Sequence, residues 1–345
     1  MIRRFVLFFI LFSTPVWAAD PWETIKPGGD TLCSTGTPYE FHVRKGDPKK
    51  LMIFFNGGGA CWSGDNCDVT TEPTTYRPFA DGEGNTPRTR DGAFALTNSE
   101  NPFKNWTQIF VPYCTGDIHL GTKDHTYTKK DGSQITVHHR GRINAQAAID
   151  HVFDAVPDPD TVFVSGGSAG AISSPYFAAL FAQHYKEAEI IHFAGGGGGY
   201  TQNPLPELWT PWGVFTDLPA WIDTKAYTAD TTRQIDFYTM AATAAPRIKF
   251  HQYNNAYDAV QEQFSGMLNT GDNLYAPLKE NMATLRTSLP YFRSYTAPGE
   301  FHTLLRFKEL YSTTSGGVRA VEWVRDVANG KEVLDVTCGA ADACE

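Results

Sequence analysis

Short apolar runs take turns with helical patterns along most of this 345-residue chain. The apolar runs predict strands at residues 39–43, 51–55, 108–113, 161–165, 189–194, 248–253 and 291–295. Several of these runs are continuously apolar, which is typical of parallel strands that are covered on both faces. Apolar residues at helical spacing predict helices at residues 143–156, 168–185, 257–267, 302–311 and 318–329. The pattern therefore indicates the α/β class, with a mostly parallel central sheet and helices on both faces.

Two segments interrupt this pattern. Residues 68–99 are rich in Thr, Pro, Gly and Asp and predict a long structured loop. Residues 200–245 predict an insertion or cap over the sheet edge. This second segment combines prolines with large aromatic residues, namely Trp209, Trp212, Phe215 and Trp221.

The N-terminal residues predict export. Arg3 and Arg4 precede an apolar run at residues 5–12, and Val16-Trp17-Ala18 follows, a pattern typical of a secretory signal peptide cleaved after Ala18. The apolar run is too short to span a bilayer. We therefore expect one α/β domain at residues 19–345, secreted or periplasmic, with no integral membrane segment after cleavage.

The charge of the chain narrows the choice of partners. Loss of the signal peptide removes two arginines and no acidic residue, so the formal net charge goes from −9 to −11. An acidic chain without a basic run argues against nucleic acid as a partner. The sequence leaves the oligomeric state open.

Six cysteines in an exported chain indicate disulfides. Their spacing favours Cys61–Cys67 and Cys338–Cys344 as local bridges, which leaves Cys33–Cys114 as a long-range one. A metal site is the competing interpretation, but two C-x5-C spacings are not usual for zinc.

The candidate nucleophile is Ser168, which lies in the G-x-S-x-G motif of residues 166–170. A predicted strand ends just before the motif and a predicted helix begins at it. Strand, tight turn and helix form the context in which such a serine is exposed at a sharp corner. The alternative is a Gly/Ser loop without chemistry, because short motifs also occur by chance.

A serine nucleophile needs a base and a carboxylate that orients the base. His302 is the best candidate base, because it follows the last predicted strand and is the last of ten histidines. Asp258 follows the strand at 248–253 and is the best carboxylate; the alternative for it is a helix N-cap. The order Ser, Asp, His matches the α/β-hydrolase arrangement. The rival carboxylates are Asp223, Asp236 and Asp272.

Ester hydrolysis also needs backbone amides that bind the developing oxyanion. One amide is expected from Ala169, the residue after the nucleophile, and others from the glycine-rich loop at residues 56–62. In that loop we nominate Gly59 and Ala60, with Gly58 as the next candidate. The alternative is a tight turn that only connects two elements.

Five further residues are candidates for substrate contact: Trp62, Asp117, His119, Trp209 and Trp212. The tryptophans would line a pocket for an apolar acyl group, although such aromatic residues are as often part of the core. Asp117 and His119 belong to a polar cluster, for which loop hydrogen bonding or substrate contact is favoured over metal ligation.

Five short motifs stand in a fairly specific order and spacing. They are Asn56-Gly57-Gly58-Gly59-Ala60-Cys61-Trp62, Phe110-Val111-Pro112-Tyr113-Cys114, Gly167-Ser168-Ala169-Gly170, Tyr257-Asp258-Ala259-Val260-Gln261 and Gly299-Glu300-Phe301-His302-Thr303. Together they resemble the pectin acetylesterase family, which also includes the Notum-like carboxylesterases. The resemblance implies an α/β-hydrolase fold and serine-esterase chemistry without a metal or other cofactor.

The same resemblance implies roles for individual residues. It assigns the catalytic triad to Ser168, Asp258 and His302, and the oxyanion amides are those of Gly59, Ala60 and Ala169. Many members carry tryptophan in the glycine loop where this chain has Ala60, so we expect a differently shaped acyl pocket.

The predicted function is an exported serine carboxylesterase that hydrolyses O-acyl esters, with acetate on pectin or a related polysaccharide as the expected substrate. One alternative is an esterase for longer acyl, aromatic or polyester substrates. An alternative of another class is a non-catalytic carbohydrate-binding or interaction protein that kept the fold.

Overall fold

The structure is a computed structural model, and it describes residues 22–87, 91–199, 202–271, 273–342 and 344. The predicted signal peptide and the rival carboxylate Asp272 lie outside the described residues. Within them, every helix is too short or too polar to cross a membrane.

The strands of the described residues are β1 (Glu23–Ile25), β2 (Phe41–Arg44), β3 (Asp47–Phe55), β4 (Trp106–Val111), β5 (Lys123–Thr128), β6 (Gln134–His139), β7 (Thr161–Gly167), β8 (Glu189–Gly195), β9 (Lys249–Asn255), β10 (Phe292–Ala297), β11 (Thr314–Ser315) and β12 (Val318–Arg319). The helices are α1 (Gly141–Ala155), α2 (Ala169–His184), α3 (Pro206–Trp212), α4 (Asp236–Ala244), α5 (Ala259–Met267), α6 (Tyr275–Ser288), α7 (Glu309–Ser312) and α8 (Ala320–Ala328).

The central sheet has eight strands in the order β1-β2-β4-β3-β7-β8-β9-β10. The six strands from β4 to β10 in this order run parallel, whereas β1 and β2 pair antiparallel at one edge. The predicted mostly parallel sheet is therefore confirmed. Because parallel strands end at the same edge, the loops after β3, β7, β9 and β10 converge there.

Both faces of the sheet are covered. In β3, Leu51, Ile53 and Phe55 pack in a core with α1, α2, α4 and α6. Met52 and Phe54 face the other way, into a second core that contains α8. A strand buried on both sides needs apolar residues at every position, which is why β3 reads as a continuous apolar run.

The predicted helix at residues 302–311 is wrong. Residues 304–308 form turns, and the helix is limited to α7. In this segment the carbonyl of Leu305 accepts a hydrogen bond from the amide of Ala93 at 2.7 Å, so it is used by a distant turn instead of a local helix. The segment therefore packs as a loop over the sheet and carries its side chains to the edge where the parallel strands end.

The segment at residues 200–245 lies between β8 and β9 and contains two helices, α3 and α4, that the sequence did not predict. Helix α4 packs along α2, and α3 packs against β5. Strands β5 and β6 form an antiparallel hairpin, which was also not predicted. The insertion thus adds its aromatic residues to the side of the sheet where α2 begins.

Candidate active site

Ser168 forms the corner between β7 and α2. Its backbone has φ of 55° and ψ of −123°, a conformation that is strained for any residue except glycine. A Cβ on Gly166 would lie 2.2 Å from the carbonyl oxygen of Gly170, and one on Gly170 would lie 2.1 Å from that of Phe55. The flanking glycines are therefore required because the turn brings backbone into close contact.

His302 and Asp258 form a hydrogen-bonded pair in the loops after β10 and β9. The His302 Nδ1 lies 2.7 Å from one carboxylate oxygen of Asp258 and 2.8 Å from the other. Because a carboxylate accepts from Nδ1, the basic nitrogen of the ring is Nε2. Among the described residues Nε2 has no hydrogen-bond partner. His302 lines the same cleft as Ser168.

Asp258 also begins helix α5. Its Oδ1 accepts hydrogen bonds from the amides of Val260 and Gln261, each at 3.1 Å, and its Oδ2 accepts one from the Gln261 side chain at 2.9 Å. Its side chain is fully buried. The N-cap and the partner of histidine, which the sequence offered as alternatives, are thus both roles of one carboxylate.

The rival carboxylates that the structure describes are engaged elsewhere. Asp223 is exposed and accepts from the amide of Lys225. Asp236 forms an ion pair with Arg233 at 2.7 Å. Neither lines the cleft that contains Ser168.

The glycine loop after β3 contacts Ser168. A Cβ on Gly57 would lie 2.6 Å from the Cβ of Ser168, so only glycine fits there. The Ala60 amide donates to the carbonyl of Thr75 at 3.3 Å, which argues against Ala60 as an oxyanion donor. The amides of Gly58 and Gly59 have no hydrogen-bond acceptor among the described residues.

The amide of Ala169 is also without a hydrogen-bond acceptor among the described residues. It is the first residue of α2, and the amides of the first helical turn have no partner within the helix. No hydrogen bond from this amide occurs within the part of the chain that the structure describes. The geometry thus offers Gly58, Gly59 and Ala169 as donors beside Ser168.

Asp117 and His119 are not among the residues that line the cleft, and their contacts match loop hydrogen bonding, the alternative that the sequence offered beside substrate contact. Each is almost completely buried, and together they support the glycine loop. The His119 Nε2 donates to the carbonyl of Asn56 at 2.7 Å. Asp117 accepts from Thr115 Oγ1 at 2.6 Å and from the amide of Gly141 at 2.7 Å.

Burial dominates the titration of these two residues. It raises the pKa of Asp117 to about 6, against the lowering effect of its hydrogen bonds. It lowers the pKa of His119 to about 4, against the raising effect of the bond to Asn56. His119 is therefore neutral near pH 7 and holds the glycine loop as a hydrogen-bond donor.

Two cavities meet at Ser168. The first, called the polar cleft below, measures about 500 Å³ and is lined by His302, Arg77, Arg306 and Gln263, among others. The second, called the apolar pocket below, measures only about 30 Å³. Ser168, Gly59 and Phe264 line both cavities.

The predicted tryptophans line the apolar pocket. Trp62, Trp209 and Trp212 stand there together with Ile172 and Leu208. The Trp212 indole donates to the carbonyl of Cys61 at 2.8 Å, and the Trp209 indole donates to that of Thr232 at 2.9 Å. These bonds hold the walls of the pocket in place.

The three disulfides are Cys33–Cys114, Cys61–Cys67 and Cys338–Cys344, the pairing that the spacing favoured. Among the described residues, Cys61, Cys67 and His139 come close enough together to suggest a metal site. Both sulfurs are in a disulfide, so neither is a thiolate that could bind a metal ion.

Three residues of the site were not predicted from the sequence: Arg77, Arg306 and Phe264. Arg306 follows His302 by four residues. Had residues 302–308 been predicted as a loop, Arg306 would have been expected at the same edge of the sheet as His302. Phe264 faces the site because α5 begins at Asp258. Nothing in the sequence around Arg77 indicates a place in the site.

Comparisons with known proteins agree with this picture. A family model described as pectinacetylesterase matches residues 25–210, just over half of the chain. Palmitoleoyl-protein carboxylesterase notum2 of Xenopus laevis is 31% identical over 144 residues, which are 40% of this chain and 27% of that protein. The chain thus matches about a quarter of the length of this curated relative.

A second curated relative and a solved structure are also similar to this chain. Inactive palmitoleoyl-protein carboxylesterase notum1b of Danio rerio is 29% identical over 104 residues, which are 30% of this chain and 74% of that protein. A solved structure of the Wnt deacylase Notum from Drosophila has a TM-score of 0.64 and 15% identity, over 92% of this chain and 97% of that one. At this identity the structural similarity establishes the α/β-hydrolase fold and nothing more.

Proposed function

The chain belongs to the pectinacetylesterase family of ester hydrolases, and from this premise we propose that it is an exported serine carboxylesterase with one domain at residues 19–345. The observation that carries the proposal is the hydrogen bond from His302 to the buried Asp258, with the imidazole in the same cleft as Ser168. Since one relative is described as inactive, membership alone is weaker support than this geometry.

In the proposed mechanism the Ser168 hydroxyl attacks the ester carbonyl carbon while His302 Nε2 takes its proton. Asp258 keeps the imidazole oriented and stabilises its positive charge. The amides of Gly59 and Ala169 bind the oxyanion, and that of Gly58 is the next candidate. The imidazolium then gives its proton to the departing alcohol, and a water activated by His302 hydrolyses the acyl-enzyme.

The apolar pocket supports a short acyl group. A cavity needs roughly 10 to 15 Å³ to hold a single water molecule. The apolar pocket of about 30 Å³ therefore accepts an acetyl methyl group and not a long chain. The palmitoleoyl group in the names of the Notum relatives would need a much larger space. The polar cleft has room for the alcohol part, and the family name supports acetylated pectin or a related polysaccharide as substrate.

Export is supported by two features. The N-terminal residues have the pattern of a signal peptide. Three disulfides are typical of proteins that fold in an oxidising compartment.

The test is hydrolysis of p-nitrophenyl acetate, together with acetate release from acetylated pectin. We expect Ser168→Ala to lower kcat by about 10⁴-fold or more, because the attacking oxygen is lost. The control is Ser173→Ala, which removes a buried hydroxyl from the same helix. Fluorophosphonate should label the wild type and not the Ser168 variant. Unchanged turnover in Ser168→Ala contradicts the proposal, and an unlabelled, inactive wild type favours a non-catalytic binding protein.

A further inference from the structure

Two arginines, Arg77 and Arg306, stand on the wall of the polar cleft beside Ser168 and His302. Within the part of the chain that the structure describes, no carboxylate forms an ion pair with either of them. The exposed Glu83 acts on Arg77 only at a longer distance. Charged side chains inside proteins usually have a partner of opposite charge, and these two arginines lack one among the described residues.

The hydrogen bonds that hold the two arginines supply no negative charge. The Arg306 Nη1 donates to the side-chain oxygen of Asn56 at 2.9 Å. The Asn56 side-chain amide in turn donates to the carbonyl of Gly84 at 3.2 Å, and the Arg77 Nη1 donates to the same carbonyl at 2.5 Å. The network fixes both guanidinium groups in place and supplies no negative charge to either of them.

Arg306 is the more deeply placed of the two, with 8% of its surface exposed. Its Nε has no hydrogen-bond partner in the described part of the chain. The guanidinium lies over the rings of Phe110 and Phe307, at 5.6 and 5.7 Å. Burial, and secondly repulsion from Arg77, lowers the pKa of Arg306 to about 10, so both groups stay charged at neutral pH. Two close like charges in a partly desolvated wall attract an anion strongly.

Their position assigns this attraction to one part of the substrate. Both arginines line the polar cleft, and neither lines the apolar pocket, so they lie on the side of the alcohol. The chain carries a formal net charge of −9 and repels anions at long range. Recognition of an anion here therefore depends on this local pair.

We propose that Arg77 and Arg306 form an anion subsite that binds a carboxylate on the alcohol part of the ester. A planar guanidinium offers two parallel donors that match a carboxylate. The inference rests on the proposed esterase function and goes beyond it by assigning to these two residues a preference for an alcohol part that carries a free carboxylate over the same alcohol part as a methyl ester.

The test compares two acetylated uronic acid oligosaccharides, one with free carboxylates and one in which the carboxylates are methyl esters. For the wild type we expect kcat/KM for acetate release to be about 10- to 100-fold higher on the free acid, which corresponds to one or two charged hydrogen bonds. Raising NaCl from 50 to 500 mM should reduce this preference and leave the methyl ester little affected.

Variants assign the preference to the two residues. Arg77→Gln should lose most of it, mainly through a higher KM on the free acid, and Arg306→Lys should lose part of it because the charge remains without the planar fork. The matched control is Arg319→Gln, which removes the same charge from an exposed ion pair with Glu100 and should keep the preference.

Several outcomes overturn the inference. Equal kcat/KM of the wild type on both esters does so even if no variant folds. So does an equal loss on both esters in Arg77→Gln, which would mean that the arginine only supports the loop. If the wild type hydrolyses neither ester nor p-nitrophenyl acetate, the esterase function itself fails. Activity on p-nitrophenyl acetate without a preference for the free acid overturns the anion subsite alone.

Discussion

The two cavities that meet at Ser168 differ in size and in what holds their walls. The polar cleft of about 500 Å³ is bounded by arginines and by a glycine loop that buried hydrogen bonds hold from behind. The apolar pocket of about 30 Å³ is bounded by three indoles, and those of Trp209 and Trp212 each donate one hydrogen bond to a backbone carbonyl. The proposed nucleophile, Ser168, therefore lies between a charged cleft and a tightly packed apolar pocket.

The difference teaches how such an enzyme sorts the two halves of an ester. A tight apolar pocket selects the acyl group by volume, since an oversized group has no room. A cleft with charged donors selects the alcohol by chemistry, because an unsuitable partner leaves those donors without an acceptor. The two choices are independent if the regions share only the residues at the reaction centre.

The largest expected effect comes from Asp258, which serves both regions because it orients His302. Asp258→Asn should lower kcat about 10³- to 10⁴-fold on every ester, since an amide facing Nδ1 favours the wrong tautomer. The fold should persist because Asn is an equally good N-cap for α5. The measurement is kcat on esters that differ in the acid or in the alcohol, with exposed Asp223→Asn as the control. A loss confined to one set of esters would break the two-region view.

A smaller effect concerns the dependence of stability on pH. The glycine loop of the cleft is held by His119, which titrates, whereas the pocket is held by indoles, which do not. Burial lowers the pKa of His119 to about 4, whereas an unfolded chain binds that proton near pH 6.5. The contribution of neutral His119 to stability is therefore present above pH 6.5 and lost as the pH falls toward 4. It amounts to about 3 kcal/mol over this interval.

Urea unfolding of wild type and His119→Gln between pH 7 and 4 measures this contribution. The difference in unfolding free energy between the two proteins should shrink as the pH falls. Asp117, whose raised pKa acts in the opposite direction, is present in both proteins and largely cancels from the difference. Trp209→Phe, on the pocket side, should lower stability by the same amount at every pH. Parallel pH curves for wild type and His119→Gln would contradict the argument.

The smallest expected effect concerns Phe264, which lines both cavities and separates them. Phe264→Ala should open the apolar pocket and raise the ratio of kcat/KM for butanoyl over acetyl p-nitrophenyl esters about tenfold. Two additional buried methylene groups contribute about 1.6 kcal/mol, which corresponds to that factor. Phe307→Ala, which changes only the cleft wall, is the control and should leave the ratio unchanged. The same rise in both variants would mean that the acyl group does not enter the pocket.

Much of this arrangement could be predicted because it follows local rules. Ser168 lies between a β-branched strand and an apolar helix, and that context predicts the corner whatever the rest of the chain does. The order of Asp258 and His302 follows from strands that all end at one edge. The family resemblance placed the same residues together, and the family is confirmed.

The remaining features depend on contacts that are remote in sequence. The apolar spacing at residues 302–311 favours a helix, but the bond from Ala93 to Leu305 holds part of this segment as a loop. Ala60 was nominated as a donor because it stands in the glycine loop, yet Thr75, from a loop without regular pattern, takes its amide. Asp117 and His119 are polar in sequence and buried in the fold, because their partners are backbone groups that no motif announces.

Helix α6 was missed for a different reason. Its buried residues Leu278, Asn281, Met282 and Leu285 follow helical spacing, but one of the four is polar, and Pro277 stands in the first turn. Proline is accepted there because the first amides of a helix need no intrahelical partner. The signal was thus present, although weak.

Asp258 has two uses: it caps the start of α5, and in the proposed mechanism it orients the imidazole of His302. In the proposed mechanism, a chain in which α5 has not formed lacks the anchored carboxylate, so its imidazole is not held in position to take the serine proton.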